Sequence, residues 1–429
     1  LPPSLLSLPP SPLPPSLLSL PPSPLPPSLH KPSACTLPPS LSLLPPSLLP
    51  PPSPRAEVRM ETGKGKCPFE PSQHYTAVMA GGILYTAATS NFLGTMFDIS
   101  RATGPEQGRI RTERSINWLN DPEFVSASFI QQDPTSEPLG DDDKLYFFFT
   151  EVAKEYEMYT KVKVPRVARV CKSDVGGMKT LQRRWTTFLK AQLVCEDRPS
   201  GQRYNVLTDV FTLRRDPNDP ATTQFYGLFT SQWEREELAA VCVFSLSDIN
   251  KVMDGPFKEL KKTCENWINP EPVPRPRPGQ VLDDFALRAE GFESSLKLPD
   301  KVLTFTRDHP LMENSVTAAP LLLRRGVTYT KLAVTLADGG AGALLHLGTD
   351  RGEIHRVAVV GQNTTLLQEV PLFPADQPIN NIVLHKVETH THTHTNTHTH
   401  THTLIHLHTH THTHTNTLTH TDTHKQMLT

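Results

Sequence analysis

Twenty-one of the 43 prolines lie between Leu1 and Pro54, and that crowding decides which part of the chain can fold. Proline fixes φ and lacks a backbone donor, so so dense a stretch is left with extended polyproline II or no order. It also repeats: LPPSLLSLPPSP at Leu1 to Pro12 returns unchanged at Leu13 to Pro24. The other end is as biased. Thirteen of the 19 histidines lie between His390 and His424, where Thr and His alternate from Thr389 onward. Alternation of this kind offers no hydrophobic face to hold a strand. Residues 1–57 and 387–429 are therefore expected to be disordered, and residues 58–386 to carry the fold; they are long enough to bury a core.

Both ends read as translated nucleotide repeats, since Leu, Pro and Ser share pyrimidine-rich codons and an ACACAC repeat encodes Thr-His. The competing readings are a ligand for proline-binding domains and adventitious nickel or zinc binding. The first methionine is Met60, no basic-then-apolar leader precedes it, and no apolar run has the roughly 18 residues of a membrane helix. An incomplete chain is the expectation from these features. The formal net charge of −2 excludes a strongly basic nucleic-acid binder and gives no pull toward an anionic membrane.

The middle is a string of short apolar, β-branched or aromatic runs between polar turns. GGILYTAAT (Gly81 to Thr89), KLYFFFTEV (Lys144 to Val152) and RVARVCK (Arg166 to Lys172) come first. YNVLTDVFTL (Tyr204 to Leu213), TQFYGLFTSQ (Thr223 to Gln232) and AAVCVFSL (Ala239 to Leu246) follow. TKLAVTLA (Thr330 to Ala337), ALLHLGT (Ala343 to Thr349), EIHRVAVV (Glu353 to Val360) and NNIVLHK (Asn380 to Lys386) complete the set. Their length and their Gly, Asp, Asn or Pro boundaries predict strands, and ALLHLGT-DRG-EIHRVAVV predicts a hairpin. Regular strands over some 300 residues fit a sandwich array or a propeller. One helix-like segment interrupts them at Ser247 to Trp267, broken by Gly255-Pro256, and EPVPRPRPG (Glu271 to Gly279) is expected as an extended surface crossing. Together they predict an insertion.

Catalytic and metal signatures are missing. There is no GxSxG, HExxH, P-loop or dinucleotide fingerprint. Asp141, Asp142 and Asp143 lack EF-hand spacing and read as a solvated turn, and His309 beside Asp308 reads as a structural hydrogen bond. No cofactor, metal or catalytic residue is expected. The six cysteines, Cys35, Cys67, Cys171, Cys195, Cys242 and Cys264, show no CxxC or zinc-ligand spacing. They suit disulfides in an oxidising compartment, and buried thiols in a cytosolic protein fit the same spacing. Asn363-Thr364-Thr365 is the usable N-glycosylation sequon.

At this point longer strings become recognisable. GKGKCPFEP (Gly63 to Pro71), NFLGT (Asn91 to Thr95), GDDDKLYFFFTE (Gly140 to Glu151), PRVARVCKSDVGG (Pro165 to Gly177), RWTTFLKAQLVC (Arg184 to Cys195), FYGLFTSQW, PVPRPRPG, SSLKLPDKVLTF (Ser294 to Phe305), DHPLM and GTDRGEIHR (Gly348 to Arg356) occur in order. With them the chain resembles the sema domain of class 4 semaphorins. The resemblance implies an all-β, seven-bladed β-propeller with a helix-containing insertion. Only roughly blades 2 to 6 are matched, so the propeller is expected to be incomplete.

The resemblance further implies a disulfide between Cys195 and Cys242, while Cys67, Cys171 and Cys264 are expected unpaired; the position expected to partner Cys171 holds Val281. It implies an extracellular signalling ligand in cell or axon guidance that binds a plexin receptor and acts in its intact form as a homodimer, with the fragment alone not competent. The polar, aromatic-bearing connection Glu151 to Arg166 supplies Tyr156, Glu157, Tyr159 and Lys161 as candidate receptor contacts. The rival readings are a propeller glycosidase, which needs two inward carboxylates, and a non-functional product of an incomplete gene model.

Overall fold

A computed structural model describes residues 63, 65–104, 109–132, 143–156, 161–233, 237–259, 272–280, 291–292, 294–337, 342–393, 396–412 and 420–428. The chain is built from successive antiparallel sheets. The first holds β1 (Thr76–Ala80), β2 (Ile83–Thr89) and β3 (Phe97–Arg101). The second runs through β4 (Glu123–Ile130), β5 (Lys144–Val152), β6 (Lys163–Cys171) and β7 (Leu189–Asp197), with the short β8 (Gln202–Tyr204) on β7. The third holds β9 (Val206–Arg214), β10 (Thr223–Thr230), β11 (Leu238–Ser245) and β13 (Pro320–Arg325). The fourth is the meander β14 (Tyr329–Leu336), β15 (Gly342–Thr349), β16 (Glu353–Val360) and β17 (Asn363–Pro371). The fifth is β18 (Asn381–Thr393), β19 (Asn396–His412) and β20 (His420–Leu428). The leading strands β1, β4, β9, β14 and β18 lie beside one another in chain order. That is the inner ring of a propeller.

Strand patterning explains the stacking. A blade between two others buries both faces, so its strands read as continuous apolar runs. In β5, Tyr146 and Phe148 enter the core shared with the third sheet, while Leu145, Phe147 and Phe149 enter the core shared with the first. β10 divides in the same way: Phe225 and Phe229 face the second sheet, and Tyr226 and Leu228 the fourth. Gly352 closes the β15–β16 hairpin at φ 73°, and a Cβ there would lie 2.9 Å from the carbonyl oxygens of Phe373, Pro374 and Gln377. Only glycine fits.

The insertion interrupts the third sheet between β11 and β13. It contains α1 (Leu246–Met253), capped by Ser245 and stopped before Gly255-Pro256, and α2 (Asp300–Asp308). On its return the chain adds β12 (Val316–Ala318) parallel to β7 of the second sheet and then closes the third with β13. Residues 260–267 of the helix-like segment, and 268–271 after it, lie outside the described residues. The proline-rich crossing differs from expectation, because Pro274, Pro276 and Pro278 are buried while Arg275 is exposed. Alternate residues of an extended chain point in opposite directions, so half of this one packs inward.

Beyond Lys386 the described residues are strands. The backbone continues through β18, β19 and β20 in a register that sets Thr389 opposite His400 and His390 opposite Thr399. Strict alternation with a β-branched residue at every second position is compatible with strand geometry.

Candidate functional site

The connection between β5 and β6 was singled out from the sequence, and the structure shows how it is held. Ala153 N donates to Val162 O at 2.8 Å, closing the loop, and Lys154–Tyr156 form a single 3-10 turn. Tyr156 is 41% exposed. Lys161 is exposed as well, whereas Glu157 and Tyr159 lie outside the described residues.

Gln232, at the end of β10 in the neighbouring blade, clamps the returning arm. Its Nε2 donates to Lys161 O at 2.9 Å and its Oε1 accepts from Lys163 N at 2.9 Å. Asn205 donates to Lys163 O at 2.8 Å and accepts from Gln232 N at 3.0 Å. The next residue, Trp233, is 59% exposed. Two blades thus present Tyr156, Lys161 and Trp233 on a fixed rim. Sequence reasoning missed Gln232 and Trp233 as parts of the site; the signal available was an SQW triplet at a strand end.

Beneath the rim lies a buried ionic cluster that the sequence reading also missed. Arg166 Nε is 2.8 Å from Glu151 Oε1 and its Nη2 2.5 Å from Glu155 Oε1, while Lys190 Nζ is 2.6 Å from Glu151 Oε1. Register explains the convergence. Arg166 pairs across from Phe149 and Lys190 from Ala168, so both share the face that carries Leu145, Phe147 and Phe149. The charges terminate an otherwise apolar face. Burial alone would raise the Glu155 carboxyl, but the charge and hydrogen bond of Arg166 outweigh it and hold the group below the usual carboxylate range. Burial acts against the Arg166 cation too, and Glu155 and Glu151 overcome it, leaving its pKa raised. At Lys190 burial prevails over Glu151 and the pKa is lowered.

This arrangement gives the glycosidase reading no support. Glu151 and Glu155 are the acids that converge, yet their side chains are only 2% and 4% exposed and are neutralised by Arg166 and Lys190. Buried and neutralised carboxylates of this kind are not poised to act as the acid and base of glycoside hydrolysis. Among the described residues no group of three His, Cys, Asp or Glu side chains is placed to hold a metal. Asp143 instead pairs with Lys172 at 2.7 Å. His309 differs from its expected role: its Nδ1 is buried without a partner, and its ring packs on Phe305 with centroids 4.6 Å apart.

The strings that carried the resemblance have physical tasks of their own. Asp174 is fully buried and accepts from the backbone of Gly176, Thr186 and Thr187 and from both threonine hydroxyls, at 2.7–3.0 Å. It knots the loop between β6 and β7. Trp118 stacks on Phe188 at 4.6 Å and donates to Arg307 O at 2.9 Å, tying that loop to α2.

Cys195 and Cys242 form the disulfide that the resemblance implies, with Cα atoms 5.9 Å apart, and it joins β7 of the second sheet to β11 of the third. Cys67 departs from expectation. It is disulfide-bonded rather than unpaired. Cys171 is a buried thiol, and Cys264 and Val281 lie outside the described residues. Asn363 is exposed at the start of β17.

Comparison with known proteins fits this architecture. The family described as Sema domain matches residues 207–386. Mouse semaphorin-4F is 46% identical over 335 residues, covering 76% of this chain and 43% of that protein. Human semaphorin-4D is 43% identical over 335 residues, covering 76% of this chain and 38% of the relative. Among solved structures, Drosophila semaphorin 2a superposes with a TM-score of 0.65 at 28% identity, over 83% of this chain and 56% of that one. Drosophila plexin A in complex with semaphorin 1b gives a TM-score of 0.62 at 28% identity, over 76% and 62%. The chain spans less than half the length of these curated relatives.

Proposed function

The chain belongs to the semaphorin family through its sema domain, and on that premise we propose that its propeller arc is a recognition module for a plexin-type receptor. The parent molecule then works outside the cell as a guidance signal, pairing as a homodimer through the propeller. The observation that carries this reading is the rim: Tyr156, Lys161 and Trp233 are exposed, while the backbone beside them is pinned by Gln232, Asn205 and the Arg166 cluster. Exposed aromatic and cationic side chains on a preorganised scaffold are the residue types that dominate protein interfaces. The solved complex of a semaphorin with plexin A names the partner class. The Cys195–Cys242 bond supports an oxidising compartment, and no helix among the described residues is long and apolar enough to cross a membrane.

The test is done in a completed propeller, with residues 63–384 of this chain replacing the matching part of a full-length class 4 sema domain. Binding to immobilised plexin ectodomain is measured by surface plasmon resonance. Changing Tyr156, Glu157, Tyr159 and Lys161 together to Ala is expected to weaken binding about ten-fold or more, and Trp233→Ala to act in the same direction. Unchanged affinity in folded variants would remove the rim from the proposal.

A further inference from the structure

β17 is the outer strand of the fourth sheet, paired with β16 on one side only. Seven of its nine residues are exposed. Leu367, the residue left unpaired by a register shift, is 58% exposed, and Val360 across the turn is 66% exposed. An exposed edge with apolar side chains invites pairing with another chain, and proteins guard such edges with lysine, proline, bulges or a covering element. Here the guards are thin where β17 begins. There is no lysine, the register shift comes only at Leu367, the proline comes last at Pro371, and Glu369 near the far end is held by Arg324 at 3.0 Å.

The turn supplies another device. Gly361, at φ 63°, and Gln362 return the chain so that Asn363 faces Val360 across the ladder. Asn363 is exposed, and its side-chain amide makes no hydrogen bond to any described residue. Thr365, two residues on, is exposed as well, completing the acceptor triplet Asn363-Thr364-Thr365. Asn363, Thr365 and Val360 share one face of the sheet, because residues opposite each other and two apart point the same way.

We propose that Asn363 carries an N-linked oligosaccharide whose role is to guard the β17 edge. The amide nitrogen of Asn363 bonds to the anomeric carbon of the first N-acetylhexosamine of a lipid-linked oligosaccharide. The lipid pyrophosphate leaves with the bonding pair, and the amide gives up one proton. The bulky hydrated chain then stands over Val360 and beside the open backbone of Asn363 to Gln368, where a second strand would dock. The proposal rests on the secretory placement made above.

The test expresses the full chain behind an added secretion leader in cultured mammalian cells. The leader puts the chain in the glycosylating compartment whatever its natural route, so a missing glycan speaks against the site and leaves the placement standing. Lysates are treated with peptide N-glycosidase, so retention in the cell does not hide the result. The wild type and Thr365→Ser are expected to lose one glycan-sized step, and Asn363→Gln and Thr365→Ala to show none. No step in the wild type overturns the site. For the guard, the oligomer fraction of detergent-free lysate is read by light scattering after size separation. Asn363→Gln is expected to raise it several-fold, and adding Leu367→Lys to bring it back down. A glycan whose removal leaves the oligomer fraction unchanged overturns the guarding role.

Discussion

The seam between the second and third sheets and the seam beyond the fourth are held in different ways. The first gathers Tyr146, Phe148, Phe225, Phe229 and Phe244, seals one end with Leu246, Ile249 and Met253 of α1, and is crossed by the Cys195–Cys242 bond. Beyond the fourth sheet the described core reduces to Ile354, Phe373 and Ile379, with Ile382 and Leu384 packed against them. Buried titratable groups lie in or beside the fourth sheet. His346 is fully buried in β15, with Nε2 3.2 Å from the Thr335 hydroxyl and Nδ1 without a partner. Asp209 is buried at the joint of the third and fourth sheets, accepting from Leu332 N at 2.8 Å. The seam between the second and third sheets rests on apolar area and a covalent link, which are indifferent to pH. The far end depends on protonation state.

The largest effect expected comes from the ionic cluster on the opposite face of the second sheet, the face shared with the first. Arg166→Met leaves Glu151 and Glu155 buried with only Lys190 for company, and breaking a buried pair in this way costs about 3–5 kcal/mol. Denaturant titration should show that loss, and hydrogen exchange should show residues 153–163 opening first. A loss below about 1 kcal/mol would mean that water reaches the cluster. Replacing Cys195 and Cys242 together by Ser comes next. Its closed loop spans 47 residues, so about 3–4 kcal/mol is expected from chain entropy, and exchange should rise at β7 and β11 ahead of β16. If β16 opens first in that variant, the seam between the second and third sheets is not the stronger one.

Acid should act on the other end. Burial first, and the Arg356 charge second, push His346 down to about 4. A base whose folded pKa is depressed stabilises the fold above its unfolded value near 6.5 and loses that contribution as pH falls toward 4. At about 1.4 kcal/mol per unit, the loss is about 3 kcal/mol. Asp209 has the opposite sign. Burial outweighs Lys331 and raises its pKa, so its contribution is present at low pH and is lost as pH rises through the raised value. Denaturant midpoints between pH 7 and 4 should therefore fall in the wild type and flatten in His346→Asn. A wild-type midpoint that does not move with pH would remove the contrast between the two ends. The smallest effect is expected at the surface: Leu367→Lys on β17 should change stability by no more than about 0.5 kcal/mol, read from the same titrations.

What could be read in advance depended on how local each signal was. The run KLYFFFTEV announced a strand, and all ten such runs coincide with strands. β17 was not foreseen, because NTTLLQEVP is mostly exposed and carries neither a clean alternation nor an apolar run. Glu151, which starts the polar connection to Arg166, is buried. Its partners Arg166 and Lys190 lie 15 and 39 residues away and meet it only through sheet register, which no local pattern encodes. Gln232 is hidden for the same reason, 71 residues from the carbonyl it holds. Tyr156 and Lys161 were legible because an aromatic, charged connection between two strong strands is a local feature.

The detour of the chain between β11 and β13 has a consequence in time. A ribosome releases β9, β10 and β11 and then makes residues 246–319 before the fourth strand of that blade exists. At roughly 5–20 residues per second this interval lasts about 4–15 s. Throughout it the outer edge of β11 has no partner, while Cys195 and Cys242 are already available to each other. Oxidation during synthesis would fasten the nascent blade to its neighbour before its own sheet is complete, and β13 would arrive on an edge already fixed in place.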